Sequence, residues 1–140
     1  NEKLLPLGSP AGVEGTAFDF RAGKAVGQDI HADDTQLTLA GGYDHNYVLN
    51  SAGDISRNVV EVSSPLTGIT MRIATTMPGI QFYAGNMLDD QTGKNGEHYS
   101  RRSGFALETQ FYPDSIHNPE YPSSVLHQNE EKTYITRYSF

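Results

Sequence analysis

The sequence predicts an all-β fold, an antiparallel sandwich or barrel, and three observations predict it. Short runs with a two-residue alternation recur along the chain, each bounded by Gly, Pro, Asn or Asp. No segment longer than a turn carries a helical period, and no internal repeat is present. Composition agrees: among 140 residues, 36% are hydrophobic, with 14 Gly, 7 Pro, 8 Tyr and 6 Phe, enough for one domain by length.

Residues 1–8 read as the middle of a strand-and-turn region. The first thirty-six residues carry little further strand signal, and 29–35 is polar. Strands are expected at 37–39 and 43–49, flanking Gly41-Gly42. The clearest hairpin joins 59–63 to 69–76. In its second arm Ile69, Met71, Ile73 and Thr75 share one face and Thr70, Arg72, Ala74 and Thr76 the other, the pattern of a half-buried strand. Met77-Pro78-Gly79 breaks the alternation and 80–84 resumes it, with Ile80, Phe82 and Ala84 toward the core and Gln81 and Tyr83 opposite. Residues 86–103 are polar and longer than a hairpin turn needs, so they read as a surface excursion or a functional lid. Within them Lys94, Arg101 and Arg102 read as solvated charges, with a phosphate-binding role as the lesser alternative.

Next comes a strand at 105–111, with Phe105, Leu107, Thr109 and Phe111 on the core side and Glu108 opposite, between Ala106 and Gln110. Residues 113–122 are held irregular by Pro113, Pro119 and Pro122. A last strand is expected over 133–140. With so few strands early in the chain, sheet edges would be left unpaired, so the sandwich is expected to be incomplete in this chain.

Charge narrows the partners. The formal net charge is −7, with 10 Lys plus Arg and no basic cluster, which makes nucleic acid and anionic membranes poor partners. The absence of cysteine excludes disulfides and thiolate metal sites and leaves the compartment open, cytoplasm being expected and periplasm the alternative. No apolar run approaches a membrane span, and no signal peptide opens the chain. His31, His45, His98, His117 and His127 are scattered without ligand spacing, so no metal site is expected.

Alternation leaves two readings of Glu108: a solvent-facing residue, which the pattern alone favours, or a carboxylate aimed into a cleft. Gln81 and Tyr83 pair an amide with a phenol, a combination able to hydrogen-bond sugar hydroxyls and stack on a sugar face; alone they equally fit a polar outer face. Asp44 and Asn46 point one way from their strand, and Tyr43, His45 and Tyr47 the other. Asp44 therefore reads as a hydroxyl-binding residue beside a structurally hydrogen-bonded His45. No nucleophile-elbow motif supports a Ser-His-Asp hydrolase.

Three segments are more specific: Gly42-Tyr43-Asp44-His45-Asn46, Pro78-Gly79-Ile80-Gln81-Phe82-Tyr83-Ala84-Gly85-Asn86, and Gly104-Phe105-Ala106-Leu107-Glu108-Thr109-Gln110. They resemble successive motifs of the aldose 1-epimerase family, in that family's order and at similar spacing. Gly15-Thr16-Ala17-Phe18-Asp19-Phe20-Arg21 resembles the segment before them, and Pro113-Asp114-Ser115-Ile116-His117-Asn118-Pro119 with 134–140 resembles the family's ending. The resemblance implies an antiparallel β-sandwich of the galactose mutarotase type. It also implies that Glu108 is the general base, that Asp44 binds hydroxyls of an aldohexose such as galactose or glucose, and that Gln81 supports the same site. Anomer exchange needs a base at the anomeric hydroxyl and an acid at the ring oxygen, each contributing roughly 10²–10⁴-fold. No cofactor is called for.

The departure is equally informative. The family's Asn-Arg pair and two site histidines belong to an earlier region and have no counterpart here. Residues 1–140 therefore read as the C-terminal portion of one such domain, and the expected partner is a separate, complementary N-terminal polypeptide carrying the general acid. The alternatives are a non-catalytic sugar-binding fragment keeping Asp44, Gln81 and Tyr83, and, ranked last, a glycosidase using Asp44 and Glu108, whose carboxyls would need to lie about 5–10 Å apart.

Overall fold

A computed structural model describes residues 1–50 and 53–140. The chain divides into two compact units, one made of Asn1–His45 with Gln81–Leu107, the other of Asn46–Ile80 with Glu108–Phe140. The elements are α1 (Thr35–Ala40), β1 (Asp44–Val48), β2 (Val60–Ser63), β3 (Thr70–Thr75), β4 (Gly79–Tyr83), β5 (Gln91–Thr92), a 3-10 turn (Lys94–Gly96), β6 (His98–Tyr99), β7 (Ala106–Gln110) and β8 (Thr136–Ser139). Strands β1-β4-β7, β2-β3-β8 and β5-β6 form three sheets in those orders. Among the described residues no helix is long and apolar enough to cross a membrane.

In the second unit the expected hairpin is present. Antiparallel β2 and β3 pair Val60 with Ile73 and Ser63 with Thr70, and the turn closes through Ser64 N–H to Ile69 O at 2.9 Å and Gly68 N–H to Ser64 O at 2.8 Å. Glu61 and Arg72, opposite each other in register, form an ion pair at 2.7 Å; both are exposed, so it contributes less than about 1 kcal/mol. On its other edge β3 pairs antiparallel with β8, setting Ile73 opposite Tyr138. Arg72 is exposed as alternation requires, but Ile73, Ala74 and Thr75 are all fully buried, so the half-buried reading fails over the last half of the strand.

A chain of hydroxyls accompanies this sheet. Thr75 Oγ1 donates to Ile135 O at 3.1 Å and lies 2.9 Å from Thr136 Oγ1, which lies 2.8 Å from Thr109 Oγ1. A hydroxyl has one proton, so Thr136 must donate to Thr75 and Thr109 to Thr136, fixing every direction in the relay. The terminal strand is shorter than expected: Ile135 N–H is bonded to the Thr76 hydroxyl, and the β8 ladder begins at Thr136. Residues 113–122 are irregular, with Tyr112 and Tyr121 packed edge to face at 5.3 Å.

The first unit is held differently. Residues 1–8 are not strand; the Asn1 side-chain oxygen accepts from Lys3 and Leu5 N–H and curls the chain into a turn. The strand expected at 37–39 is instead α1. Asp34 caps its start by accepting from Gln36 and Leu37 N–H, while Gly41, in the left-handed conformation at φ 68°, stops it. Gly42 N–H bonds Leu37 O at 2.8 Å, completing a left-handed C-cap. Leu37 and Ala40, three residues apart, are the buried positions, a helical spacing that a six-residue run shows too briefly to outweigh local alternation.

Rings fill the core of this unit. Tyr43 is fully buried, stacked on Phe82 at 5.4 Å and met edge-on by Phe18 at 5.7 Å and Phe20 at 5.1 Å. Its hydroxyl donates to Ala17 O at 2.8 Å, satisfying the one polar atom the ring carries inward. The polar stretch 86–103 is partly ordered into the β5-β6 hairpin, with Gln91 opposite Tyr99.

Candidate functional site

Strand β4 carries the expected alternation into three dimensions. Ile80, Phe82 and Ala84 are 2%, 8% and 3% exposed, while Gln81 and Tyr83 on the other face are half-buried. On β1, Asp44 is also half-buried, and its Oδ1 accepts from Gln81 Nε2 at 2.7 Å. A carboxylate can only accept, so the amide orientation is fixed by chemistry: nitrogen toward Asp44, oxygen away. That oxygen, Gln81 Oε1, is buried with no hydrogen-bond partner among the described residues. An orphaned buried acceptor costs about 1–3 kcal/mol and is ready to receive a donor from a ligand.

The backbone under Asp44 is fixed from two sides. Its N–H donates to His45 Nδ1 at 3.0 Å, so the imidazole proton resides on Nε2. Burial pushes the His45 pKa below its ordinary value, against the opposing pull of Asp44 and Asp34, and Phe18 packs edge-on at 4.7 Å. His45 is therefore a neutral, structurally bonded residue, as expected from the sequence. On the other side stands Asn86, whose Nδ2 donates to Tyr43 O at 2.9 Å and Ala40 O at 3.4 Å. A Cβ at Gly42, where φ is +136°, would lie 2.3 Å from Asn86 Oδ1, so only glycine permits this approach. Asn86 closed one of the quoted motifs but drew no role from the sequence. The available signal is a polar residue closing the Ala84-Gly85-Asn86 segment that follows β4, all three of them buried.

Tyr83 shares the Gln81 face, but its hydroxyl is already engaged, accepting from Met87 N–H at 2.8 Å, and so anchors the start of the polar stretch. In the second unit, Asn46 Oδ1 is buried and unpartnered among the described residues, above Gly79, where a Cβ would come within 2.7 Å of it. Glu108 lies on β7 in that unit, exposed, and among the described residues nothing hydrogen-bonds or pairs with its carboxylate. The structure thus joins Asp44 to Gln81 and leaves Glu108 uncommitted. Among the described residues no three His, Asp or Glu side chains gather as a metal site would require.

Comparison with known proteins follows the same residues. The family profile described as Aldose 1-epimerase matches residues 1–139. The galactose mutarotase of Mus musculus is 40% identical over 141 residues, covering 100% of this chain and 40% of its own length. The aldose 1-epimerase of Escherichia coli (strain K12) is 36% identical over 142 residues, covering 100% of this chain and 41% of its own. In structure, the chain is similar to the GalM/aldose epimerase homologue from C. elegans, with TM-score 0.76 and 27% identity over 99% of this chain and 39% of that one. It is also similar to the galactose 1-epimerase from Lactobacillus acidophilus NCFM, with TM-score 0.66 and 31% identity over 81% of this chain and 31% of that one. The chain thus spans about 40% of the length of the curated relatives it matches, and its nearly all-β fold is similar to that of the solved C. elegans homologue.

Proposed function

Because the chain belongs to the aldose 1-epimerase family, we propose that it supplies the base-bearing portion of an enzyme interconverting the α and β anomers of aldohexoses such as galactose and glucose. Residues 1–140 are then the C-terminal portion of one epimerase domain. The remaining portion of the domain supplies the general acid.

The observation that carries this reading is the orphaned Gln81 Oε1 beside Asp44. With its nitrogen given to Asp44, the amide offers only an acceptor, and Asp44 keeps a second carboxylate oxygen with no partner among the described residues. Two adjacent acceptors suit the O–H donors of a sugar better than a carboxylate or phosphate ligand, which brings acceptors of its own. Asp44 and Gln81 are the hydroxyl-binding residues, and Glu108, whose carboxylate has no internal partner, is the base. It takes the proton from the hydroxyl on C1 as the ring C1–O bond breaks and the acid protonates the ring oxygen. The open aldehyde turns about its C1–C2 bond, and the transfers reverse on the other carbonyl face. Every proton returns to its donor, so no cofactor takes part.

The test is NMR exchange between α- and β-galactose catalysed by the complete domain. Glu108→Gln is expected to keep sugar binding and lose about 10²–10⁴-fold in exchange rate, while Asp44→Asn chiefly weakens binding. Full exchange in Glu108→Gln would reassign the base. Saturable binding with no exchange in the unaltered domain would make this a carbohydrate-binding fragment instead.

A further inference from the structure

The polar stretch contains a second feature that the sugar chemistry does not use. Arg101 and Arg102 were read as solvated charges, but Arg102 is half-buried and its guanidinium is held at every nitrogen. Nε donates to Asn86 Oδ1 at 3.3 Å, Nη1 to His31 Nε2 at 2.9 Å and Nη2 to Gly41 O at 2.8 Å. Arginine cannot accept, so His31 must be the acceptor in that contact. Arg101 Nη2 reaches the same Gly41 carbonyl at 3.0 Å. These bonds use three of the five N–H donors of Arg102 and one of those of Arg101, so donors remain on both.

Two adjacent guanidiniums in a chain of net charge −7 would be expected to find carboxylates. Among the described residues neither has one within ion-pair distance, although Arg21, Lys24, Arg72 and Lys132 all do. Of the acids that flank residues 30–32 in sequence, Asp29 is paired with Lys24 at 2.6 Å and Asp34 caps α1, while Asp33 is exposed. The backbone adds a cost. Arg102 sits in the left-handed region at φ 63°, a conformation that costs a residue bearing a Cβ about 1 kcal/mol or more. Its own N–H is bonded to Gly85 O at 3.0 Å. The two arginines border a cleft of ≈ 300 Å³ with His31, Ile30, Leu37 and Thr38, inside a single unit.

We propose that this cleft is an anion site, taking the phosphate group of a small phosphorylated molecule or of free phosphate. Guanidinium forks match a phosphate's oxygens in pairs, and the contacts to Gly41, Asn86 and His31 hold the Arg102 fork in place before a ligand arrives. The site is distinct from the Asp44–Gln81 pair, whose acceptors suit a neutral ligand.

Titrating the complete domain with inorganic phosphate at constant ionic strength, followed by backbone amide NMR, tests it. Saturable shifts are expected at Thr38, Arg101 and Arg102, and Arg101→Gln, which keeps an amide donor near Gly41, should weaken binding about tenfold or more. A second arm uses glucose 6-phosphate. Equal affinity for the two ligands would mean that the cleft reads phosphate alone, and tighter binding of the sugar phosphate would identify a phosphorylated sugar. Non-saturating shifts, shifts reproduced by chloride, or unchanged affinity in Arg101→Gln would overturn the proposal.

Discussion

The two units of this chain reach a buried core by different means. The second is built on a backbone ladder: β3 is flanked by β2 and β8, and its last three residues are fully buried. The first holds the short β5-β6 hairpin and parts of β1, β4 and β7. It rests on rings gathered around Tyr43 and on side chains bonded to distant backbone, such as Tyr43 Oη to Ala17 O, Asn86 Nδ2 to Tyr43 O, and Arg102 Nη2 to Gly41 O. A ladder spreads its stability over many equivalent bonds, whereas a ring cluster concentrates it in a few side chains. Single substitutions should therefore cost more in the first unit than in the second.

The largest expected contrast sets Tyr43→Ala against Thr75→Val. Removing Tyr43 empties a fully buried ring position contacted by Phe18, Phe20 and Phe82 and should cost about 3–5 kcal/mol. Thr75→Val keeps the volume but removes the hydroxyl between Ile135 O, Thr136 and Met77 N–H, which should cost about 1–3 kcal/mol. Denaturant midpoints of the two variants decide it, and a larger loss for Thr75→Val would refute the distinction between ring-held and ladder-held units.

Asn86→Leu sharpens the comparison at intermediate size. The substitution removes one of the two donors to Tyr43 O, which keeps Ala84 N–H, and leaves the Arg102 Nε–H without its partner; it should destabilise by about 1–3 kcal/mol. Because Asn86 supports the turn before Asp44, sugar affinity should fall as well. Unchanged stability together with unchanged affinity would mean that the α1 cap and the arginine contacts to Gly41 O hold the Gly41-Gly42 turn without Asn86.

The same contrast explains what could be read from the sequence. Alternation revealed the hairpin, the β4 faces and the inward Phe82, because a ladder imposes its two-residue period directly on the residues. It also placed Gln81 on the face of β4 opposite Phe82. It missed α1, since six residues give a period too little length, and the caps at Asp34 and Gly41 were the only local signal. It put Phe105 in the core, yet that ring is 46% exposed. Phe105 precedes the first paired residue of β7, so the pleat that would turn it inward has not begun. Arg102 was beyond reach: its contacts run to His31 and Gly41, some seventy and sixty residues away in sequence, and nothing local marks a residue whose partners are distant backbone.

The smallest effect is one of pH, and it isolates the first unit. Burial lowers the His45 pKa below the ordinary 6.5, so the folded chain binds less proton here than the unfolded chain. Stability contributed by neutral His45 is present in full above 6.5. It is lost as pH falls from 6.5 toward the lowered folded value, below which the loss levels off. Protonation also destroys the Nδ1 acceptor that holds the Asp44 N–H, so sugar affinity should weaken as pH falls through the lowered folded value. Asp19, held down to about 2 by its hydrogen bonds to Arg21, titrates only between about 4 and 2 and leaves that interval clear. Denaturant midpoints between about pH 7.5 and pH 5 should therefore slope downward toward acid in the unaltered protein and run flatter in His45→Gln. Equal slopes would place the titration outside the ring cluster and remove His45 from the support of Asp44.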